Sequence, residues 1–189
     1  AWQRALKFAG LYKGQLDGIT GPLTREAAAQ WRESHKQLQT RYGRLDKRTE
    51  DNLLTLQPLA ALKVRQMMTA LRGLADWRLI CGLRTYDEQD KLYAKRPKVT
   101  NAKGGQSMHN FGIAADVCLF RGGVDIWAPS EGPDSIYKPV AALAHKLGLV
   151  WGGDWRSPYD PGHVQLGSLP TATLHRAYTT GASTLAQLL

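Results

Sequence analysis

Long apolar runs are missing from this 189-residue chain. No stretch approaches the roughly 18 consecutive apolar residues of a membrane-spanning helix, so a folded, soluble protein is expected. Cysteine is scarce. With only Cys81 and Cys118, a disulfide framework or a Cys-rich metal site is excluded, and both residues, set in apolar stretches, are expected as buried free thiols. There is no low-complexity tract and no proline-rich or glycine-serine linker, which excludes a long disordered spacer. The contiguous His-Glu-x-x-His helix of many metallopeptidases is absent. The residues from Trp2 onward lack the apolar core of a signal peptide, so a product made in the cytoplasm without a leader is expected.

What the chain does have is positive charge. A formal +9 and a sequence pI near 9.7 draw it toward polyanions such as nucleic acid, an anionic membrane or an acidic bacterial envelope. The excess is spread over the whole chain, which argues against a basic tail or a DNA-reading helix. No nucleic-acid partner is expected.

Apolar residues at Trp2, Ala5, Leu6 and Ala9 follow helical spacing and stop at Gly10. A turn-rich loop from Gly14 to Pro22 then opens a second helix running to about Lys36. A weaker copy at Leu45 to Thr49 precedes a third helix over Asp51 to Leu56. Pro58 marks a boundary, after which a helix is predicted from about Lys63 to Asp76. Beyond it the pattern alternates: strands at Trp77–Leu83, Gly112–Phe120, Leu149–Trp151 and His163–Leu166, and helices at Tyr86–Arg96, Ile136–Leu147 and Thr171–Tyr178. The expected fold is α+β, a small, mostly antiparallel sheet with flanking helices, preceded by a three-helix all-α domain. Domains are expected at residues 1–57 and 58–180, with a loosely held tail at 181–189.

Of five histidines, two have chemically suggestive company. His109 lies in a turn that leads into a strand of small residues ending on Asp116, an acid in an otherwise apolar run. A buried carboxylate needs a partner charge or a metal. His163 enters another short strand three residues after Asp160, across a Pro-Gly turn. Two histidines and a carboxylate form a common catalytic zinc set that leaves one position for water, and a second acid can shuttle its proton.

The run Ser107-Met108-His109-Asn110-Phe111-Gly112-Ile113-Ala114-Ala115-Asp116, followed by Asp160-Pro161-Gly162-His163, resembles the zinc peptidase family of D-Ala-D-Ala carboxypeptidases and L-alanyl-D-glutamate endopeptidases. The resemblance extends to Gly82-Leu83-Arg84-Thr85 with Glu88-Gln89 and to Trp151-Gly152-Gly153-Asp154-Trp155, with Cys81 and Leu83 standing where the family often has Ser and an aromatic residue. It implies one Zn2+ held by His109, Asp116 and His163. It also implies Asp160 as general base and then acid, and Arg84 steadying an oxyanion or anchoring a substrate carboxylate. Asp154 is expected either to orient a ligand histidine or to cap its turn. His35, His145 and His175 are assigned no role, and the tryptophans are read as core.

Leu16-Asp17-Gly18-Ile19-Thr20-Gly21-Pro22-Leu23-Thr24 resembles the three-helix peptidoglycan-binding domain carried by many wall hydrolases. Together the two resemblances imply a monomeric, endolysin-like peptidoglycan hydrolase that cuts the L-Ala–D-Glu bond of the stem peptide at the bacterial wall. A carboxypeptidase acting on terminal D-Ala and a non-catalytic wall-binding protein are the alternatives.

Overall fold

The computed structural model describes residues 2–126 and 136–189. Helix α1 (Trp2–Phe8) gives way to a turn at Gly10, whose φ of +79° suits glycine. Helix α2 (Pro22–Tyr42) starts at the predicted proline but continues past Lys36, because nothing breaks it before Gly43, where φ is +81°. Helix α3 (Lys47–Leu53) begins earlier than expected, since the Asp46 side chain accepts the Thr49 N–H and caps it. Likewise, Pro58 does not merely mark a boundary. It opens helix α4 (Pro58–Arg72) in the first turn, where its missing N–H costs nothing.

The remaining elements among the described residues are β1 (Trp77–Cys81), α5 (Tyr86–Ala94), a 3-10 turn (Met108–Phe111), β2 (Ala114–Arg121), β3 (Val124–Ile126), α6 (Lys138–Lys146), β4 (Val150–Trp151), a second 3-10 turn (Gly152–Asp154), β5 (His163–Gln165), α7 (Thr171–Thr180) and α8 (Leu185–Leu188). Strand β3 was not anticipated. Its signal was the pair Gly122-Gly123, both with positive φ, which folds it back on β2 as a tight hairpin. All strand pairs are antiparallel, in the order β1-β2-β5-β4 with β3 also on β2. The α+β architecture is the expected one.

One apolar core runs through both parts of the chain. Phe8, Leu53 and Leu56 belong to the same buried cluster as Met67, Leu71, Leu79, Val117 and Val164, and the Phe8 ring meets Tyr178 edge-on at 5.6 Å. A smaller cluster, Leu6, Tyr12, Ala27, Ala28 and Trp31, lies between α1, α2 and the loop that joins them. Thus α1 serves both clusters, and the division expected near Gln57 falls between helices that share buried side chains. The C-terminal segment is not loose: Thr184 and Gln187 form a capping box, and Leu185 is buried.

A buried ion pair links α3 to α4. Arg65, its side chain 3% exposed, donates Nη1–H and Nη2–H to the two Glu50 oxygens at 2.9 and 2.6 Å and a further bond to the Gly43 carbonyl. Burial would raise the Glu50 pKa, but the Arg65 fork and the Leu45 N–H outweigh it and hold the carboxylate below its usual range. Removing one partner leaves the other charge stranded. Arg65→Ala is therefore expected to lose about 3–5 kcal/mol of stability in urea unfolding, far more than truncating a surface arginine.

Candidate metal centre

The sheet register assembles most of the site. On β2, Asp116 stands opposite His163 of β5 on one side and Cys81 of β1 on the other. Residues paired across adjacent strands project on the same face, so the three side chains form one row. His109 arrives from the 3-10 turn, which Gly112 closes with φ of +69°. A side chain at Gly112 would also press on the Thr55 carbonyl, 3.2 Å from its Cβ.

Three atoms converge. His109 Nε2 lies 3.1 Å from Asp116 Oδ1, His163 Nδ1 lies 3.2 Å from the same oxygen, and the two nitrogens are 3.3 Å apart. The outer nitrogens are tied to carbonyls. His109 Nδ1–H donates to the Gly82 carbonyl at 2.7 Å, and His163 Nε2–H donates to Gln165 Oε1 at 3.0 Å. The Gln165 amide is itself pinned, because its NH2 donates to the Gly167 carbonyl at 2.7 Å and so turns its oxygen to the ring. Each neutral ring then presents a lone pair to a carboxylate, and three acceptors can share such a space only around a cation. Ligand atoms bonded at about 2.0 Å to a tetrahedral ion sit about 3.3 Å apart, close to the three spacings found here.

Without an ion, a proton takes the cation's place. Burial disfavours charge on the His109 ring, yet the Asp116 carboxylate outweighs it and raises the pKa to about 10. Asp116 responds in kind. Its burial would raise the pKa, but His109 and His163 hold it well below the carboxylate range. Asp160 is pushed the other way, raised by burial and by the Asp116 charge. Its carboxylate, Asp116 and His163 bring ligand atoms within 4.8 Å of one another, as do Cys81, His109 and Asp116.

Known proteins resemble this chain. A family profile described as D-alanyl-D-alanine carboxypeptidase matches residues 100–166, which include His109, Asp116, Asp160 and His163. The crystal structure of the Serratia marcescens L-Ala D-Glu endopeptidase ChiX superposes with a TM-score of 0.49 at 28% identity, covering 65% of this chain and 89% of that one. The peptidoglycan L-alanyl-D-glutamate endopeptidase CwlK of Bacillus subtilis is 36% identical over 118 residues, 54% of this chain and 71% of CwlK. The chain belongs to the zinc peptidase family of D-Ala-D-Ala carboxypeptidases and L-alanyl-D-glutamate endopeptidases.

Other side chains of the peptidase are set around this centre. Arg84 gives Nη1–H to Gln89 Oε1 at 2.9 Å, and its Nη2 lies 3.4 Å from both Asp116 Oδ2 and Cys81 Sγ. Gln89, fully buried, is held in turn by the Ala102 carbonyl. Asp160 and His163 share one turn, the His163 N–H donating to the Asp160 carbonyl at 3.1 Å. Gly152 is required beside them because that carbonyl occupies the space a Cβ would need. The Trp155 ring lies tilted against His163 at 5.1 Å.

Some expectations are corrected. Cys118 is buried, but Cys81 is only half-buried and borders the centre, since β1 ends in a bulge there. Asp154 neither orients a candidate ligand nor caps its turn with its side chain; it pairs with His145 at 2.7 Å on the surface. His35 is buried, its two ring nitrogens 2.9 and 3.1 Å from the Trp31 and Leu56 carbonyls, of which the neutral ring can donate to one. Gln165 was overlooked, although its place two residues after His163 on a strand put it on the same face. With both Asp154 and His145 side chains 53% exposed, Asp154→Ala is expected to cost at most about 1 kcal/mol in thermal unfolding. Peptidase activity should stay near the wild-type level; a large loss would place Asp154 in the site after all.

Proposed function

We propose that this peptidase hydrolyses the L-Ala–D-Glu amide of peptidoglycan stem peptides, using one Zn2+ held by His109, Asp116 and His163. The convergence of two ring nitrogens and a carboxylate oxygen at 3.1 to 3.3 Å, with each outer nitrogen tied to a carbonyl, carries the metal assignment. The relationship to CwlK supports the choice of bond. Zinc in such a site supplies Lewis acidity and lowers the pKa of water at its open position toward about 7.

The chain's own residues do the rest. Asp160 takes the proton from the attacking water and delivers it to the leaving amine, and a carboxylate raised by burial and by the Asp116 charge is a better proton acceptor than a free one. Arg84, with donors beyond those used on Gln89, Cys81 and Asp116, steadies the developing oxyanion or holds a substrate carboxylate. Residues 1–57 serve as the wall-binding domain, which raises the local substrate concentration at an insoluble polymer. The +9 charge favours an anionic envelope. This combination fits a monomeric enzyme of the bacteriophage endolysin type, made in the host cytoplasm and acting at the wall.

Mass spectrometry of products from purified peptidoglycan tests the reading. Stem peptides beginning at D-Glu are expected from the wild type and not from a chelated sample. Loss of terminal D-Ala alone would move the chain to the carboxypeptidase side of its family. Asp160→Ala should lower kcat by about 10²- to 10⁴-fold while still binding zinc.

Metal binding should also depend on pH in a defined direction. The metal-free site keeps a proton on His109 up to about pH 10, and zinc must displace it. The protonated fraction grows as pH falls, so apparent affinity should drop by up to about tenfold per unit below that value. Calorimetry at pH 7 in buffers of different ionisation enthalpy should show about one proton released per zinc. No release would mean that His109 is already neutral at pH 7 in the metal-free site.

A further inference from the structure

Helix α3 ends against the metal centre. Just past it, Thr55 donates its hydroxyl proton to the Asn52 carbonyl at 2.7 Å, which leaves its oxygen free to accept the Leu83 N–H at 2.9 Å. That N–H belongs to the same peptide unit as the Gly82 carbonyl. Because a peptide is planar and trans, its N–H and C=O point in opposite directions, so anchoring one end aims the other. The aimed carbonyl is the acceptor of His109 Nδ1–H at 2.7 Å.

The contact is tight. A Cβ at position 82 would lie 2.5 Å from Thr55 Oγ1 and 2.7 Å from the Asn52 carbonyl, which explains why glycine stands there. On the far side of His109, the Gln57 N–H donates to the Gly112 carbonyl at 2.8 Å. The Gly82–Leu83 peptide and the end of the turn that carries His109 are therefore both held by residues 52–57, a segment the sequence assigns to the wall-binding domain.

We propose that Thr55 is a positioning residue for His109, acting through the Gly82–Leu83 peptide, so that the end of the N-terminal helical region is a working part of the peptidase site. The proposal rests on His109 being a zinc ligand. Loss of the hydroxyl leaves the peptide free to rock and the imidazole free to turn, and loosening such an outer support weakens metal binding by roughly tenfold to a hundredfold.

The test compares the full chain with Thr55→Val, Thr55→Ala and Thr55→Ser, by zinc affinity in competition with a chelating dye and by the rise in melting temperature on adding zinc. Thr55→Val and Thr55→Ala should bind zinc at least about tenfold more weakly and show a smaller rise, with Thr55→Ser restoring both. Asn52→Ala is the structural control: it removes the side-chain bond to the Leu79 carbonyl and should lower the melting temperature with and without zinc alike. Unchanged affinity in either hydroxyl-free variant that folds, or weakened binding that serine does not restore, would overturn the proposal. Failure of the wild type to bind zinc would instead overturn the metal assignment beneath it.

Discussion

Three electron-rich atoms facing one another inside a protein need a positive charge between them, and the architecture of this chain answers to that demand. His109, Asp116 and His163 are each nearly or partly withdrawn from water, so no solvent ion or dipole can relieve their repulsion at low cost. The Gly82 carbonyl and the Gln165 amide deny the two rings the option of turning away. What remains is a proton or a metal ion.

The same constraint explains three polar residues buried beside the centre. Gln89, Gln165 and Asn110 are buried without being part of the apolar core. Each orients something nearer the centre: Gln89 the Arg84 guanidinium, Gln165 the His163 ring, and Asn110 the Arg84 backbone carbonyl. Buried amides are tolerable when every group finds a partner. The shared core between the first helices and the sheet has a related effect, since Leu53 and Leu56, on either side of Thr55, are buried together with residues of the strands.

Much of this was legible in the sequence, for identifiable reasons. Asp116 stood out because a carboxylate in an apolar strand is costly, and Asp160 with His163 because a Pro-Gly turn fixes their spacing. Element order and the antiparallel sheet followed from periodicity and glycine placement. Helix starts were read less well, because Asp46 and Pro58 look like loop residues until their roles as cap and first turn are seen. The support of His109 by Gly82 was invisible, since every residue has a carbonyl and only the fold says which one is aimed. The partner of Asp154 was hidden too, since His145 lies on a separate helix and nothing in local spacing joins them.

The row Cys81, Asp116 and His163 crosses three strands at one level. Side chains alternate faces along a strand, so a slip of one residue between β2 and either neighbour would carry Asp116 or its partner to the opposite side of the sheet. The same slip would turn Ala115, Val117 and Leu119 out of the core, so the register that buries β2 is also the one that assembles the row. Burial of the core and assembly of this row are thus one condition rather than two, met together by a single pairing of the strands.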